Sequence, residues 1–158
     1  MSLLRDFLKG GTLGPIAIGL SPVEVQRILG EPWDVGGTPN QRIWKYGGIQ
    51  LGFQRDKVTR AEMLSFIGLY LRDGSFALPE TISSGGWFPS RQTTKDDFIR
   101  YLKEQGIGYS EARQLTFETQ SGLVTESGAQ VIFDGSAGEV ALDSIQLLQH
   151  QKATRTCQ

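Results

Sequence analysis

Gly48-Ile49-Gln50-Leu51-Gly52-Phe53 in the first half of the chain and Gly128-Ala129-Gln130-Val131-Ile132-Phe133 in the second share one pattern, Gly-apolar-Gln-apolar-x-Phe. Alternation with a period of two marks a strand buried on one face, and the leading glycine marks a turn before it. Each run is followed by another strand-like stretch, Met63-Leu64-Ser65-Phe66 in one half and Leu142-Asp143-Ser144-Ile145 in the other. Each is preceded by a capped amphipathic helix. The same order occurring twice predicts an α+β chain of two similar helix-plus-antiparallel-strand units that share one sheet, with the helices on one face.

A helix and a three-stranded sheet of about 60 residues bury only a marginal core alone. Two such units set edge to edge extend the sheet and pool their cores. An antiparallel sheet tolerates a solvated face, so the side away from the helices is expected to form a broad, shallow platform. The expected boundaries are a first unit over residues 1–78, a connector over 79–93, a second unit over 94–150 and a polar tail over 151–158, all within one compact domain.

Working outward from the first hexapeptide, Arg42-Ile43-Trp44-Lys45-Tyr46 and Ile49–Phe53 flank Gly47-Gly48, which predicts a hairpin with a two-residue turn of the primed type. That turn sets Tyr46 against Ile49 and Trp44 against Leu51 on one face. Ile43, Lys45, Gln50 and Gly52 then fall on the other. Upstream, Ser21 is an N-cap, Pro22 suits the first helical position and Glu24 completes a capping box. Val25, Ile28 and Leu29 make the apolar stripe, and Gly30 with Pro32 ends the helix. Leu3, Leu4, Phe7 and Leu8 predict a shorter helix ahead of it. Downstream, Met63–Leu71 reads as a strand and Asp73-Gly74 as a turn toward Ser75–Leu78.

In the second half, Thr94 caps a helix whose first turn carries Asp96 and Asp97 and whose apolar face is Phe98, Tyr101 and Leu102. Gly106 stops it. Strands are expected at Gln114–Glu118, Gln130–Phe133 and Val140–Leu148, with a turn at Asp134-Gly135. Between the halves, Pro79, Ser83, Ser84, Gly85, Gly86, Pro89 and Ser90 compose a long loop. It carries two large apolar residues, Trp87 and Phe88.

Sixteen Lys and Arg against seventeen Asp and Glu give a net charge of −1 with no basic stripe. Counterion-release binding to nucleic acid therefore has little to work with, and no nucleic-acid partner is expected. The single cysteine, Cys157, can form no internal disulfide. Arg5, Asp6 and Lys9 interrupt the apolar start, so the expectation is a cytoplasmic protein with no membrane anchor.

Catalysis needs convergent groups. His150 is the only histidine, and one His with one Cys makes no ordinary zinc site. Asp96-Asp97 reads as helix capping and Asp134 as a turn residue. Gly10-Gly11-Thr12-Leu13-Gly14 lacks the Gly-Lys-Ser/Thr of a phosphate loop. No catalytic residue, metal ligand or cofactor site is marked. The expectation is a protein that binds another protein.

The stretch Ile18-Gly-Leu-Ser-Pro-Val-Glu-Val-Gln-Arg-Ile-Leu-Gly-Glu-Pro32, with the Trp/Tyr hairpin and the Gly-x-Gln-x-x-Phe strand behind it, resembles the small outer-membrane-assembly lipoproteins of the SmpA/OmlA type. Those lead into a helix and then a sheet through Gly-x-Ser-x-x-Glu-Val-x-x-x-Leu-Gly-x-Pro. A tandem pair of such units is similar to the beta-lactamase inhibitor protein fold and to bacterial toxin-immunity proteins of that architecture. The match is strong over those residues and loose over the rest of the first half; the second half matches in element order alone. The chain departs from these families in lacking a lipobox cysteine near its start and the paired cysteines of the secreted inhibitor. The resemblance implies a bacterial protein that binds a protein, plausible as an immunity protein against a toxin or enzyme.

Aromatic and arginine side chains dominate interface energetics, which makes Trp87 and Phe88 the first candidate partner-binding residues, the other reading of them being a plug between the halves. Ile43, Lys45, Gln50, Gln130 and Ile132, on the expected open face, are the second set. Two alternatives remain: a small hydrolase-type enzyme with an unmarked carboxylate site, and an envelope-assembly scaffold whose signal is missing from the chain.

Overall fold

The computed structural model describes residues 2–72, 76–136 and 138–149. Along the chain run α1 (Leu3–Gly10), α2 (Pro22–Leu29), β1 (Asp34–Thr38), β2 (Gln41–Tyr46), β3 (Ile49–Arg55) and β4 (Glu62–Tyr70). Then come α3 (Lys95–Gln105), β5 (Tyr109–Glu111), a 3-10 turn at Arg113–Leu115, β6 (Gln120–Thr125), β7 (Gln130–Asp134) and β8 (Ala141–Leu148). The strands form one antiparallel eight-stranded sheet in the order β1-β2-β3-β4-β8-β7-β6-β5. The protein is α+β.

The helices begin where side chains satisfy their first free amides. Ser2 accepts from the Arg5 amide, and Thr94 from that of Asp97. Ser21 and Glu24 close the capping box that their spacing predicts. Gly106 ends α3 in the left-handed region at φ 69°, where a residue with a Cβ would be strained.

The hairpin adopts the expected register, Tyr46 opposite Ile49 and Trp44 opposite Leu51. At its turn Gly47 takes φ 63°, and Gly48 is needed for space: a Cβ there would stand 2.1 Å from the Phe76 ring. Register carries the apolar face across the sheet. Tyr46, Ile49, Leu69, Ile145, Val131 and Leu123 form one buried row, and Trp44, Leu51, Ile67 and Leu147 form another. Phe7, Leu8, Val25, Phe98 and Leu102 of the helices join the same core.

Strands β4 and β8 close the seam between the two halves. Ile67 faces Leu147, Gly68 faces Gln146, and Leu69 faces Ile145. A register shift interrupts β3 against β4 at Gly52/Phe53, and another interrupts β7 against β8 at Ile132/Phe133. Each leaves one extra residue, Ser65 and Asp143. Their carbonyls accept from the amides of Gln149 (2.8 Å) and Leu71 (3.1 Å), respectively. Past each bulge, the strand amide donates to the residue just before a helix cap: Leu64 to Leu20 at 2.7 Å, and Leu142 to Thr93 at 2.8 Å.

Helix α1 docks on the second half of the chain. The Thr125 hydroxyl donates to the Leu8 carbonyl at 2.7 Å and the Ser127 hydroxyl to the Phe7 carbonyl at 2.9 Å.

The expected strand at Gln114–Glu118 is not one. That segment holds the end of the 3-10 turn and an isolated bridge from Phe117 to Gln120, and the strand is β6 just beyond. Leu115 folds back over Gly122, where a Cβ would stand 2.5 Å from the Leu115 Cβ, so its side chain caps the sheet instead of entering the ladder. Each half also has four strands instead of three, because β1 and β5 extend the edges. Phe76–Leu78 is not a strand. Asp73-Gly74-Ser75, His150 and Cys157 lie outside the described residues.

Candidate functional site: the uncovered face of the sheet

Because successive side chains alternate across a strand, the residues between the core positions point to the second face. One row crosses all eight strands in register: Asp34, Lys45, Gln50, Gly68, Gln146, Gln130, Val124 and Ser110. Beside it on one flank run Ile43, Gly52, Phe66 and Leu148. On the other run Tyr70, Ser144, Ile132 and Gly122. Lys45, Gln50 and Gln130 therefore share the central row, with Ile43 and Ile132 in opposite flanking rows. At about 4.8 Å between neighbouring strands, Lys45 and Gln130 are about 19 Å apart. All five are half-buried, while the helices contribute their buried side chains to the other face.

The middle of this face is shaped by close packing. Phe66 and Tyr70 lie over Gly68, where a Cβ would stand 2.9 Å and 2.7 Å from their rings. The aromatics cover the glycine. Burial, and secondarily the Asp143 carboxylate, raises the Tyr70 phenol above its ordinary pKa and keeps it protonated. Asp143 itself is held by Arg72, whose Nε and Nη2 donate to its two oxygens at 2.5 and 3.0 Å. An open depression of about 440 Å³ lies at one corner, walled by Ile43, Gly52, Ser65, Phe66 and Leu148.

The central row carries charge only at its Asp34–Lys45 end; beyond that it is three amides, a glycine, a valine and a serine. Glutamine offers both donors and acceptors, and covering an amide costs much less than covering a charge. A macromolecular surface can settle on the row from Gln50 to Ser110 without stranding ions.

Compared with known proteins, the chain matches no family model, and neither a curated protein nor a solved structure matches it. The geometry carries the functional reading.

Trp87 and Phe88 lie elsewhere. Trp87 packs on the Tyr101 ring of α3 with centroids 4.6 Å apart and remains 43% exposed. Phe88 stacks on Phe76 at 5.4 Å and is half-buried against the core. The connector is tied to the helix layer, with the Leu3 amide donating to the Ser84 carbonyl. Trp87 thus sits with the helix layer, away from the five sheet residues, and Phe88 sits beside Phe76, whose ring packs at the Gly48 end of the hairpin. Trp87 also walls a depression of about 550 Å³ over α3 together with Asp97, Arg100 and Glu104, where Arg100 pairs with Asp97 at 2.8 Å.

Sequence reasoning missed Phe66, Tyr70, Gln146 and Leu148 on the open face. The signal was present: Phe66, Gly68 and Tyr70 alternate with Ile67 and Leu69, but which set faced the core depended on the seam pairing.

Proposed function

We propose that the chain is a non-catalytic protein-binding module whose uncovered sheet face docks on a partner protein, in the manner of an immunity or inhibitor protein that occludes a toxin or enzyme. The supporting observation is the in-register row from Asp34 to Ser110, with Phe66, Tyr70, Ile43 and Ile132 beside it. Among the described residues it is broad and nearly uncharged, covered by Leu115 only at its Gly122 corner, which suits a protein surface better than a small substrate.

The two halves, in this reading, descend from one duplicated unit of the SmpA/OmlA type. Support comes from bulges before Phe53 and Phe133, at the same place in the two hexapeptides. It comes also from the matched anchors of α2 and α3 on Leu64 and Leu142. Across the seam, Ile67–Leu147 and Leu69–Ile145 exchange under a two-fold turn about Gly68 and Gln146. Joining two such units lengthens the open face from four strands to eight.

Three carboxylates serve local structure: Glu24, Asp56 and Asp134 are all held below their ordinary pKa. The Ser21, Thr59 and Ser136 hydrogen bonds, respectively, are the leading causes, and these are caps and turns. Among the described residues no three of His, Cys, Asp and Glu cluster as metal ligands. No described helix is long and apolar enough to cross a membrane, and a cytoplasmic setting is part of the proposal.

The test is affinity capture from native lysate, including the product of the neighbouring gene, with the wild-type chain and with Gln50→Glu/Gln130→Glu. The double variant should fold as the wild type does and lose the captured protein. Equal capture by both would refute the open-face assignment.

A further inference from the structure

The sheet ends at β1, and the outer side of that strand has no neighbour among the described residues. All five of its residues, Asp34-Val-Gly-Gly-Thr38, are exposed. It carries no inward lysine and no proline, and its one departure from extended backbone is Gly37, at φ 83°. Around Gly36 a Cβ would meet nothing within 4 Å, so the backbone is open to approach. The opposite edge, β5, is only three residues long.

Beside β1, on the face shared with Trp44, is a depression of about 420 Å³ walled by Val35, Gly37, Arg42, Trp44 and Arg55. Its charges do not balance. Arg42 donates from Nε and Nη2 to the two Glu62 oxygens, both at 2.8 Å, and lies 5.6 Å over the Trp44 ring. Arg55 reaches Glu62 only at 3.7 Å, and among the described residues its buried Nε has no hydrogen-bond partner. Two guanidinium groups thus share one carboxylate among the described residues. Asp34, the nearby acid on β1, belongs to the other face, opposite Lys45.

We propose that β1 takes an extended peptide segment of a partner protein as a ninth, antiparallel strand, and that a Glu or Asp side chain of that segment completes the Arg42–Arg55 pair. Strand addition supplies affinity through main-chain hydrogen bonds and specificity through alternate side chains. Register fixes the spacing. Gly37 faces Arg42, and Val35 faces Trp44, so the carboxylate sits opposite Gly37 and an apolar side chain two residues later sits opposite Val35. The recognised pattern is acid-x-apolar. A charge-assisted fork to a guanidinium is among the stronger hydrogen bonds, and Trp44 and Val35 supply the apolar wall.

This site stands apart from the open-face reading, and its test does not depend on it. The probe is the peptide acetyl-Thr-Glu-Thr-Val-Thr-amide, with a twin carrying Gln for Glu, titrated into the labelled chain to about 5 mM and followed by backbone amide NMR shifts. The Glu peptide should move Val35–Thr38, with about ten-fold weaker binding for the Gln twin or for Arg55→Gln. Gln50→Glu/Gln130→Glu should bind the peptide as the wild type does. Equal binding of both peptides, or still resonances at Val35–Thr38, would overturn the proposal. Concentration-dependent shifts there without peptide would assign the edge to a second copy and overturn it also.

Discussion

Gly68 and Gln146 face one another across the β4–β8 seam, at the centre of the eight-stranded sheet. Gly68 is also the floor beneath Phe66 and Tyr70. Gly68→Ala forces both rings aside, and overpacking of this kind costs about 1–3 kcal/mol. Urea denaturation should show that loss. An unchanged midpoint would mean that the rings do not rest on the glycine.

The β4–β8 seam pairs the two halves in one sheet, and they are expected to unfold together. Ile67→Ala and Ile145→Ala sit in corresponding buried positions, and each should cost about 2–4 kcal/mol. Circular dichroism and tryptophan fluorescence should report a single coincident transition in both variants. Separate transitions would show that the halves fold independently.

Ser21 and Thr94 cap the two helices that are anchored in the same way on Leu64 and Leu142. Alanine at either position should lower stability by about 1 kcal/mol. Thermal denaturation of the two variants should give similar losses.

Tyr46 gives the protein an alkaline limit. Its hydroxyl donates to the Gly30 carbonyl at 2.8 Å. Burial first, then the Glu31 carboxylate, pushes its pKa from 10.0 up to about 12. The folded state therefore holds this proton more tightly than the unfolded state. The associated stability is fully present below about pH 10 and is lost as pH rises toward about 12. Tyr70, also raised, adds in the same direction. Tyr46→Phe should lose about 1 kcal/mol at neutral pH through the missing hydrogen bond and show a shallower decline above pH 10. An equally steep decline would assign the alkaline loss to other groups.

What could be read before the fold was known follows from how local the signal is. The Ser21–Glu24 box and the Gly47-Gly48 turn are set by neighbours in sequence, and both were legible, along with the faces of Trp44 and Lys45. Strand β1 was not, because Asp34-Val-Gly-Gly-Thr38 has neither alternation nor bulk and is ordered by pairing with β2. Nor was β6: Gly122 needs Leu115 over it, a contact that composition does not mark. On the candidate site, Lys45, Gln50 and Gln130 followed from alternation within single strands. Phe66, Tyr70 and Gln146 required knowing that β4 lies against β8, a long-range pairing. The separation of Trp87 from this face was hidden for the same reason, since the connector's course depends on contacts with α1 and α3.

The account rests on a partner covering the side of the sheet opposite the helices, and lysine reactivity toward a soluble acylating ester reads this directly. Lys45 lies in the central row, whereas Lys9 and Lys103 are exposed on α1 and α3. With the captured partner bound, acylation of Lys45 should slow at least several-fold, with Lys9 and Lys103 unchanged. Protection of Lys9 or Lys103 with Lys45 still fully reactive would place the partner on the helices and contradict the account.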